Sequence, residues 1–306
     1  MRVVFLGTPD FAVPSLRALV KSHHEVVGVI TQPDRPRGRG GKLTPSPVKV
    51  EAQKSGIEVY QFEKISREGV DTLKALNPDI MVTAAYGQIL SDEVLNIARY
   101  GVINVHASIL PLHRGSSPIQ NAILKGDKET GVTIMQTACE VDSGDILHVK
   151  KLEILDAYGT VELTERLSNI GAEALLDAMR LIESGEVIAT PQDHSKATFC
   201  KLIQKADTVI DWSEDATIIA RKIRAYDNIG ASSTLNGEVC KLYKPTVVVG
   251  NGNVGEIIEC SDKTGIVVKC GNGAVKIDEM LLAGGKRSKC TDLARGRKLQ
   301  KGLVLG

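Results

Sequence analysis

Cysteine is sparse and scattered in this 306-residue chain: Cys139, Cys200, Cys240, Cys260, Cys270 and Cys290 never form C-x-x-C, and none stands beside a His at zinc-type spacing. That pattern argues against a disulfide framework and against a metal site, and leaves buried thiols as the expectation. No apolar run approaches the roughly 20 residues that would cross a bilayer. The first apolar run, Val3-Val4-Phe5-Leu6, is too short for a secretory leader and is cut off by Pro9 and Asp10. A cytoplasmic protein without membrane contact, and a monomer, is expected. The opening strand and turn lack G-x-G-x-x-G, which weakens a dinucleotide reading. Trp212 is the sole Trp, and no aromatic run of the RNA-recognition type occurs, so nucleic acid would be held by phosphate and shape contacts more than by base stacking. Net charge is only +1, but it is unevenly spread: 17 Lys and Arg against 12 Asp and Glu from residue 200 onward, and 21 against 25 before it. Only the basic rear would favour a polyanion.

What is present reads as α/β. Val3 to Leu6 is a buried strand, and Gly7-Thr8-Pro9 leads into a helix with Thr8 as N-cap, Pro9 at its first position and Val13, Leu16 and Val20 on one face. Glu25 to Ile30 supplies a second strand and a βαβ unit. The stretch Gln32 to Lys42 is interrupted by Gly and Pro throughout, so neither helix nor strand is expected, only a strongly basic loop carrying Arg35, Arg37, Arg39 and Lys42. It is either a solvated surface loop or a flap closing on an anionic substrate. Further strands are expected at Asp79 to Ala85, Gly101 to His106, Gly131 to Gln136 and Asp145 to Val149, the last two joined by the acidic turn Glu140 to Asp145. A long amphipathic helix then carries Leu163, Leu167, Ile170, Ala174, Ala178 and Leu181.

A mostly parallel, Rossmann-like sheet follows from strands alternating with helical segments. Gly185 to Gln204 shows no sustained periodicity and reads as a linker. Beyond it come one helix, Ala216 to Ala225, and short β-type runs at Ser233 to Leu235, Val239 to Tyr243, Val247 to Val249, Gly255 to Ile258, Gly265 to Lys269 and Ala274 to Ile277, the pattern of a small barrel. The segment Lys286 to Lys301 is the most basic part and reads either as a solvated end or as a nucleic-acid contact. The expected division is residues 1–188, a linker at 189–205 and residues 206–306.

The stretch with most chemistry is Asn104-Val105-His106. In a strand Ile103 and Val105 point one way and Asn104 and His106 the other, so two polar groups leave the core together at the carboxyl end of a strand, where ligands sit in open α/β sheets. Spacing alone leaves two readings open, a polar pair capping a turn and an active site.

Taken together, Gly7-Thr8-Pro9-Asp10-Phe11, Thr31 to Pro36, Asn104-Val105-His106 running into Ser108-Ile109-Leu110-Pro111, Arg114 to Ile119, Asp142-Ser143-Gly144-Asp145, Ile210-Asp211-Trp212-Ser213 and Gly284 to Arg287 resemble the methionyl-tRNA formyltransferase family over nearly the whole chain. The resemblance implies transfer of a formyl group from the co-substrate 10-formyltetrahydrofolate to the α-amine of methionyl initiator tRNA, releasing tetrahydrofolate. It implies a triad of Asn104, His106 and Asp142, with Asn104 and His106 polarising the formyl oxygen and either His106 or Asp142 carrying the proton. It implies folate contacts at Ser108, Ile109, Leu110, Pro111, Tyr86 and Gly87, tRNA contacts at Arg35, Arg39, Lys42, Lys286 and Arg287, and a C-terminal barrel similar to an OB fold. This sequence departs from the family at Leu112 and His113, beside the folate segment, and at Tyr226 to Gly230. Related enzymes formylating glycinamide ribonucleotide or an aminosugar nucleotide would lack the basic loop and the basic rear domain.

Overall fold

The computed structural model describes residues 1–37 and 41–306. In chain order the strands of the N-terminal part are β1 (Arg2–Gly7), β2 (Glu25–Thr31), β3 (Arg35–Arg37), β4 (Lys42–Thr44), β5 (Val59–Gln61), β6 (Ile80–Ala84), β7 (Val102–His106), β8 (Arg114–Gly115), β9 (Glu129–Gln136), β10 (Ile146–Glu153) and β11 (Phe199–Cys200). The helices are α1 (Val13–Lys21), α2 (Pro47–Lys54), α3 (Ile65–Glu68), α4 (Val70–Leu76), α5 (Asp92–Leu95), α6 (Pro118–Lys125), α7 (Thr160–Ser184), α8 (Ala216–Ala225) and α9 (Cys290–Arg295). Seven strands form one sheet in the order β10-β9-β7-β6-β1-β2-β5. The pairs from β7 through β5 are parallel, while β9 and β10 add antiparallel strands at one edge. Val3, Val4, Phe5 and Leu6 in β1 and Ile80, Met81 and Val82 in β6 are fully buried, as continuous apolar runs must be when helices cover both faces of a parallel sheet. The chain leaves β1 toward β2 and β5, then returns to β6 on the other side, which puts a crossover at the carboxyl ends of β1 and β6.

Local details depart from the sequence reading. Thr8 does not cap a helix: Pro9 precedes a short 3-10 turn at Asp10–Ala12, and α1 begins at Val13. The Thr8 hydroxyl instead donates to the Tyr86 carbonyl at 3.2 Å and accepts the Gln32 N–H at 3.4 Å, tying together the chain beyond β1, β2 and β6. On α1 the buried stripe is Val13, Leu16 and Leu19, with Val20 exposed. The basic loop holds a two-stranded ribbon, β3 against β4, despite its Pro and Gly content. A two-stranded ribbon leaves one edge of each strand unpaired, so Pro36, lacking an N–H, is tolerated there. Arg39 lies outside the described residues. Gly185 to Gln204 is also structured: Thr190 pairs with Ile146, and β11 pairs in parallel with β8.

The chain divides into two compact units, one of residues 1–118, 129–153 and 164–200 and another of residues 119–128, 154–163 and 201–306. In the second, β12 (Ala231–Leu235), β13 (Glu238–Val248), β14 (Ile257–Ser261), β15 (Gly265–Lys269), β16 (Ala274–Leu281) and β17 (Ser288–Lys289) form an antiparallel sheet ordered β12-β13-β16-β15-β14, with β17 also on β16. The runs expected separately at Val239 to Tyr243 and Val247 to Val249 fall on one strand that ends at Val248, since β13 continues through Lys244 and Pro245 with no shift of register on β16. Leu305 bridges Leu235 of β12, and Val304 bridges Glu256 just ahead of β14, so the C-terminal residues join the two edges of a curled sheet. The basic segment from Lys286 is not a loose end: it forms β17 and α9, and Leu299 and Leu305 are buried beyond them.

Candidate active site

β7 carries Asn104 and His106 on one face. The Thr83 hydroxyl, from the neighbouring β6, lies 3.0 Å from Asn104 Oδ1 and 3.2 Å from the Ile103 carbonyl. Asn104 Nδ2 points at Asp142 Oδ1, 3.4 Å away. A carboxylate accepts only, so the amide nitrogen must face Asp142 and the amide oxygen Thr83. Among the described residues, one N–H of Asn104 remains uncommitted.

His106 is 5% exposed. Its Nε2 lies 3.1 Å from the His113 carbonyl, which can only accept, so Nε2 carries the proton. Nδ1 faces Asp142 Oδ2 at 3.5 Å. Burial pushes the His106 pKa below its ordinary value and outweighs the opposing pull of the Asp142 charge. The ring is therefore neutral at neutral pH, with a bare Nδ1 next to a carboxylate, which makes it a proton acceptor whose charged form has a partner waiting.

Asp142 stands on the connection between β9 and β10, in the left-handed region at φ 48°. Its Oδ2 accepts the Gly115 N–H at 2.7 Å. Glycine is required at both supports of this turn. Gly115 has φ 113°, and a Cβ there would lie 2.3 Å from the Cys200 carbonyl oxygen, while a Cβ on Gly144 would lie 1.8 Å from that of Gln136. Gln192 Nε2 donates to the carbonyls of Asp142 at 2.9 Å and Gly144 at 2.7 Å. Gln192 Oε1 accepts from Arg114 Nε and Nη2 at 3.1 and 2.6 Å. Thr83 and Gln192 carry no site signal in the sequence, and Gly115 stands in the Arg114 to Ile119 motif with nothing there to pair it with Asp142. In the sequence Gln192 is only a polar residue after Pro191 in an aperiodic stretch.

Ser108 is fully buried and donates to the Leu112 carbonyl, Leu110 N–H donates to Thr133 Oγ1 at 3.1 Å, and the Leu110–Pro111 bond is cis. Ile109 and Pro111 are half-buried. Tyr86 is buried and its carbonyl is engaged by Thr8 and Gln32, whereas Ala85 and Gly87 are exposed. Ile89 is 85% exposed further along the same loop. Leu112 is exposed and His113 buried.

Of the expected tRNA contacts, Arg35 pairs with Glu63 at 2.7 Å, and Arg287 pairs with Glu279 at 2.6 Å while its guanidinium lies 3.9 Å from the Tyr243 ring centre. Lys42 and Lys286 are exposed. Cys200, Cys240, Cys270 and Cys290 are buried free thiols and Cys260 is half-buried, but Cys139 is exposed and donates to Asp92. Among the described residues one cluster, His23, His24 and Glu183, has donor atoms close enough to share a metal ion, and it includes none of Asn104, His106 or Asp142.

A mostly parallel sheet brings a histidine and an amide at one strand end to a carboxylate on a neighbouring turn, and a separate antiparallel sheet follows. The family model for the formyl transferase domain matches residues 1–179, and that for the formyl transferase C-terminal domain matches residues 202–298. A methionyl-tRNA formyltransferase of Sulfurihydrogenibium sp. is 46% identical over 99% of both chains, and one of Bacillus licheniformis is 43% identical over 100% of this chain and 98% of its own. The N-formyltransferase of Helicobacter canadensis, solved with folinic acid and dTDP-3-aminofucose, shares the fold at a TM-score of 0.68 and 16% identity, over 94% of this chain and 99% of its own. The chain belongs to the methionyl-tRNA formyltransferase family. No helix among its described residues is long and apolar enough to cross a membrane.

Proposed function

We propose that the enzyme transfers the formyl group of 10-formyltetrahydrofolate to the α-amine of methionyl initiator tRNA, with Asn104, His106 and Asp142 as its reacting groups. The observation that carries this is the Asp142 carboxylate, which faces both the bare Nδ1 of a neutral, buried His106 and the amide of Asn104, itself left with one N–H to spare. The neutral amine attacks the formyl carbon and the carbonyl electrons move onto oxygen, where the spare N–H of Asn104 donates. His106 Nδ1 takes the proton from the attacking nitrogen, and Asp142 stabilises the imidazolium. When the bond from the formyl carbon to folate N10 breaks, Nδ1 returns that proton to N10, so formylmethionyl-tRNA and tetrahydrofolate leave with His106 neutral again. Because the Nε2 proton is spent on His113, His106 adds to oxyanion stabilisation only once Nδ1 is protonated.

The folate co-substrate is assigned to the segment Ser108 to Pro111 and to Tyr86 and Gly87. The exposure of Ala85 and Gly87 supports the latter. Arg39, Arg35, Lys42, Lys286 and Arg287 are assigned to the tRNA, in a cytoplasmic enzyme acting as a monomer without membrane or metal. The test supplies 10-formyltetrahydrofolate with charged initiator tRNA, glycinamide ribonucleotide or an aminosugar nucleotide in separate stopped assays. Turnover confined to the tRNA is expected, and equal turnover of a small amine would overturn the assignment.

A further inference from the structure

We propose that Gln192 is a positioning residue that sets Asp142 for the transfer, held in orientation by the buried guanidinium of Arg114. The inference rests on the reading of Asp142 as the partner of His106 and extends it to a residue that meets Asp142 at its main-chain carbonyl. Gln192 is 6% exposed and Arg114 3% exposed. Both N–H groups of the Gln192 amide are spent on the Asp142 and Gly144 carbonyls, and its oxygen takes two N–H groups from Arg114. Its full hydrogen-bonding capacity is used. Turning the amide over would set oxygen against two carbonyls and nitrogen against a cation, so the guanidinium fixes which way the amide faces.

Arg114 also lies 3.2 Å from His194 Nδ1, and among the described residues it meets no carboxylate. A buried cation without an anion is costly unless its donors are satisfied, and Gln192 satisfies two of them while passing the constraint on to the turn. The side chain of Asp142 is meanwhile held by the N–H of Gly115, the residue after Arg114. Main chain and side chain of Asp142 are thus both anchored to one dipeptide, itself paired with Phe199 and Cys200. Ala138 to Val141 of the same connection are exposed. A glutamate at 192 would suit Arg114 as an ion pair but would present only acceptors to two carbonyls, which explains the amide at this position.

The test compares Gln192→Met, which keeps length without polarity, Gln192→Glu, which keeps the Arg114 contact, Asp142→Asn, and the Asp142→Asn/Gln192→Met double variant. Steady-state formylation of charged initiator tRNA is measured across pH and normalised to folded enzyme. A misplacement of the order of 1 Å costs about 10²-fold in rate, so both Gln192 variants are expected to lose kcat by about 10- to 100-fold with KM for folate and tRNA held within about two-fold. The charged and titratable groups facing His106 are Asp142, Arg114 and His113. As Asp142 swings away, the acid limb of the Gln192→Met kcat profile shifts to lower pH, a change that mere loss of stability does not produce. The double variant is expected to be no slower than Asp142→Asn alone. An inactive Asp142→Asn beside a Gln192→Met of normal kcat, or of unmoved acid limb, or additive losses in the double variant, overturns the inference. An Asp142→Asn enzyme at full rate overturns the underlying reading of Asp142. If Gln192→Met fails to fold, Gln192→Glu alone decides: a normal kcat there overturns the inference.

Discussion

Thr83→Val isolates the orientation of the Asn104 amide, because valine keeps the shape of threonine and removes only the hydroxyl. That hydroxyl is the donor that tells Asn104 Oδ1 from Nδ2 on the β6 side, at 3.0 Å. Without it the amide is oriented only by the 3.4 Å contact with Asp142, a distance at which a hydrogen bond is weak. A neutral hydrogen bond contributes about 1 kcal/mol net, which as lost transition-state stabilisation is about five-fold in kcat. Removing the oxyanion donor outright by Asn104→Ala costs far more, about 10²- to 10³-fold. Stability changes little, since Val favours a buried central strand about as much as the lost hydrogen bond disfavours it. Single-turnover formylation, with folate and tRNA saturating, separates these effects from binding. In the Asn104→Ala background Thr83→Val is expected to add nothing, as the group it orients is gone. A Thr83→Val enzyme at full rate, or a further five-fold loss in the double variant, would refute the reasoning.

The pH dependence follows from His106. Its folded pKa lies below the ordinary 6.5 because of burial, so kcat/KM is expected to hold down through pH 6.5 and fall only as the buried ring protonates; a limb at or above that value contradicts the neutral-ring reading. The same shift makes the unfolded chain take up a proton first as pH drops through 6.5, so stability falls with it; denaturant titrations of His106→Asn and the parent should differ in that window. Gly115→Ala forces a Cβ to 2.3 Å from the Cys200 carbonyl at φ 113°, and such strain costs of order 1–3 kcal/mol; an unchanged Tm would deny it. Arg39→Ala should raise KM for tRNA while leaving that for folate unchanged, and equal effects on both would remove Arg39 from the tRNA contact. Lys286→Ala is expected to lower the salt slope of tRNA binding by about 1, and Arg287→Ala by less, because Glu279 already pairs with Arg287; equal slopes would show that the pairing opens on binding.

The sequence carried those parts of the molecule whose meaning is local. β1 and β6 are visible as apolar runs, α8 is bounded as expected with Asp215 capping its first turn, and the shared face of Asn104 and His106 follows from period two. Where neighbours are remote, local pattern misleads. Thr8 is a good cap residue in isolation, but its hydroxyl is claimed by Tyr86, 78 residues away. Thr83 meets Asn104 across 21 residues, Gly115 meets Asp142 across 27, and Gln192 meets it across 50. No periodicity carries information over such spans, so Asp142 itself was reached only through resemblance, and its supports not at all.

The separation between structure and chemistry at this site can be made by counting valences. Gln192 spends every donor and acceptor it has, and the Thr83 hydroxyl, the Gly115 N–H and the Nε2 proton of His106 are each committed to a partner inside the protein. Fully satisfied groups rigidify a site but have nothing left to offer a substrate. On the Asn104 amide nitrogen and the His106 ring, two valences stay open among the described residues, one N–H of Asn104 and the lone pair of His106 Nδ1. They are a donor and an acceptor, and addition of an amine to a carbonyl creates one oxygen that needs a donor and one proton that needs an acceptor. On the proposed mechanism Thr83, Gly115 and Gln192 would act on rate by keeping those two valences aimed, so their substitution is expected to reach kcat before it reaches KM.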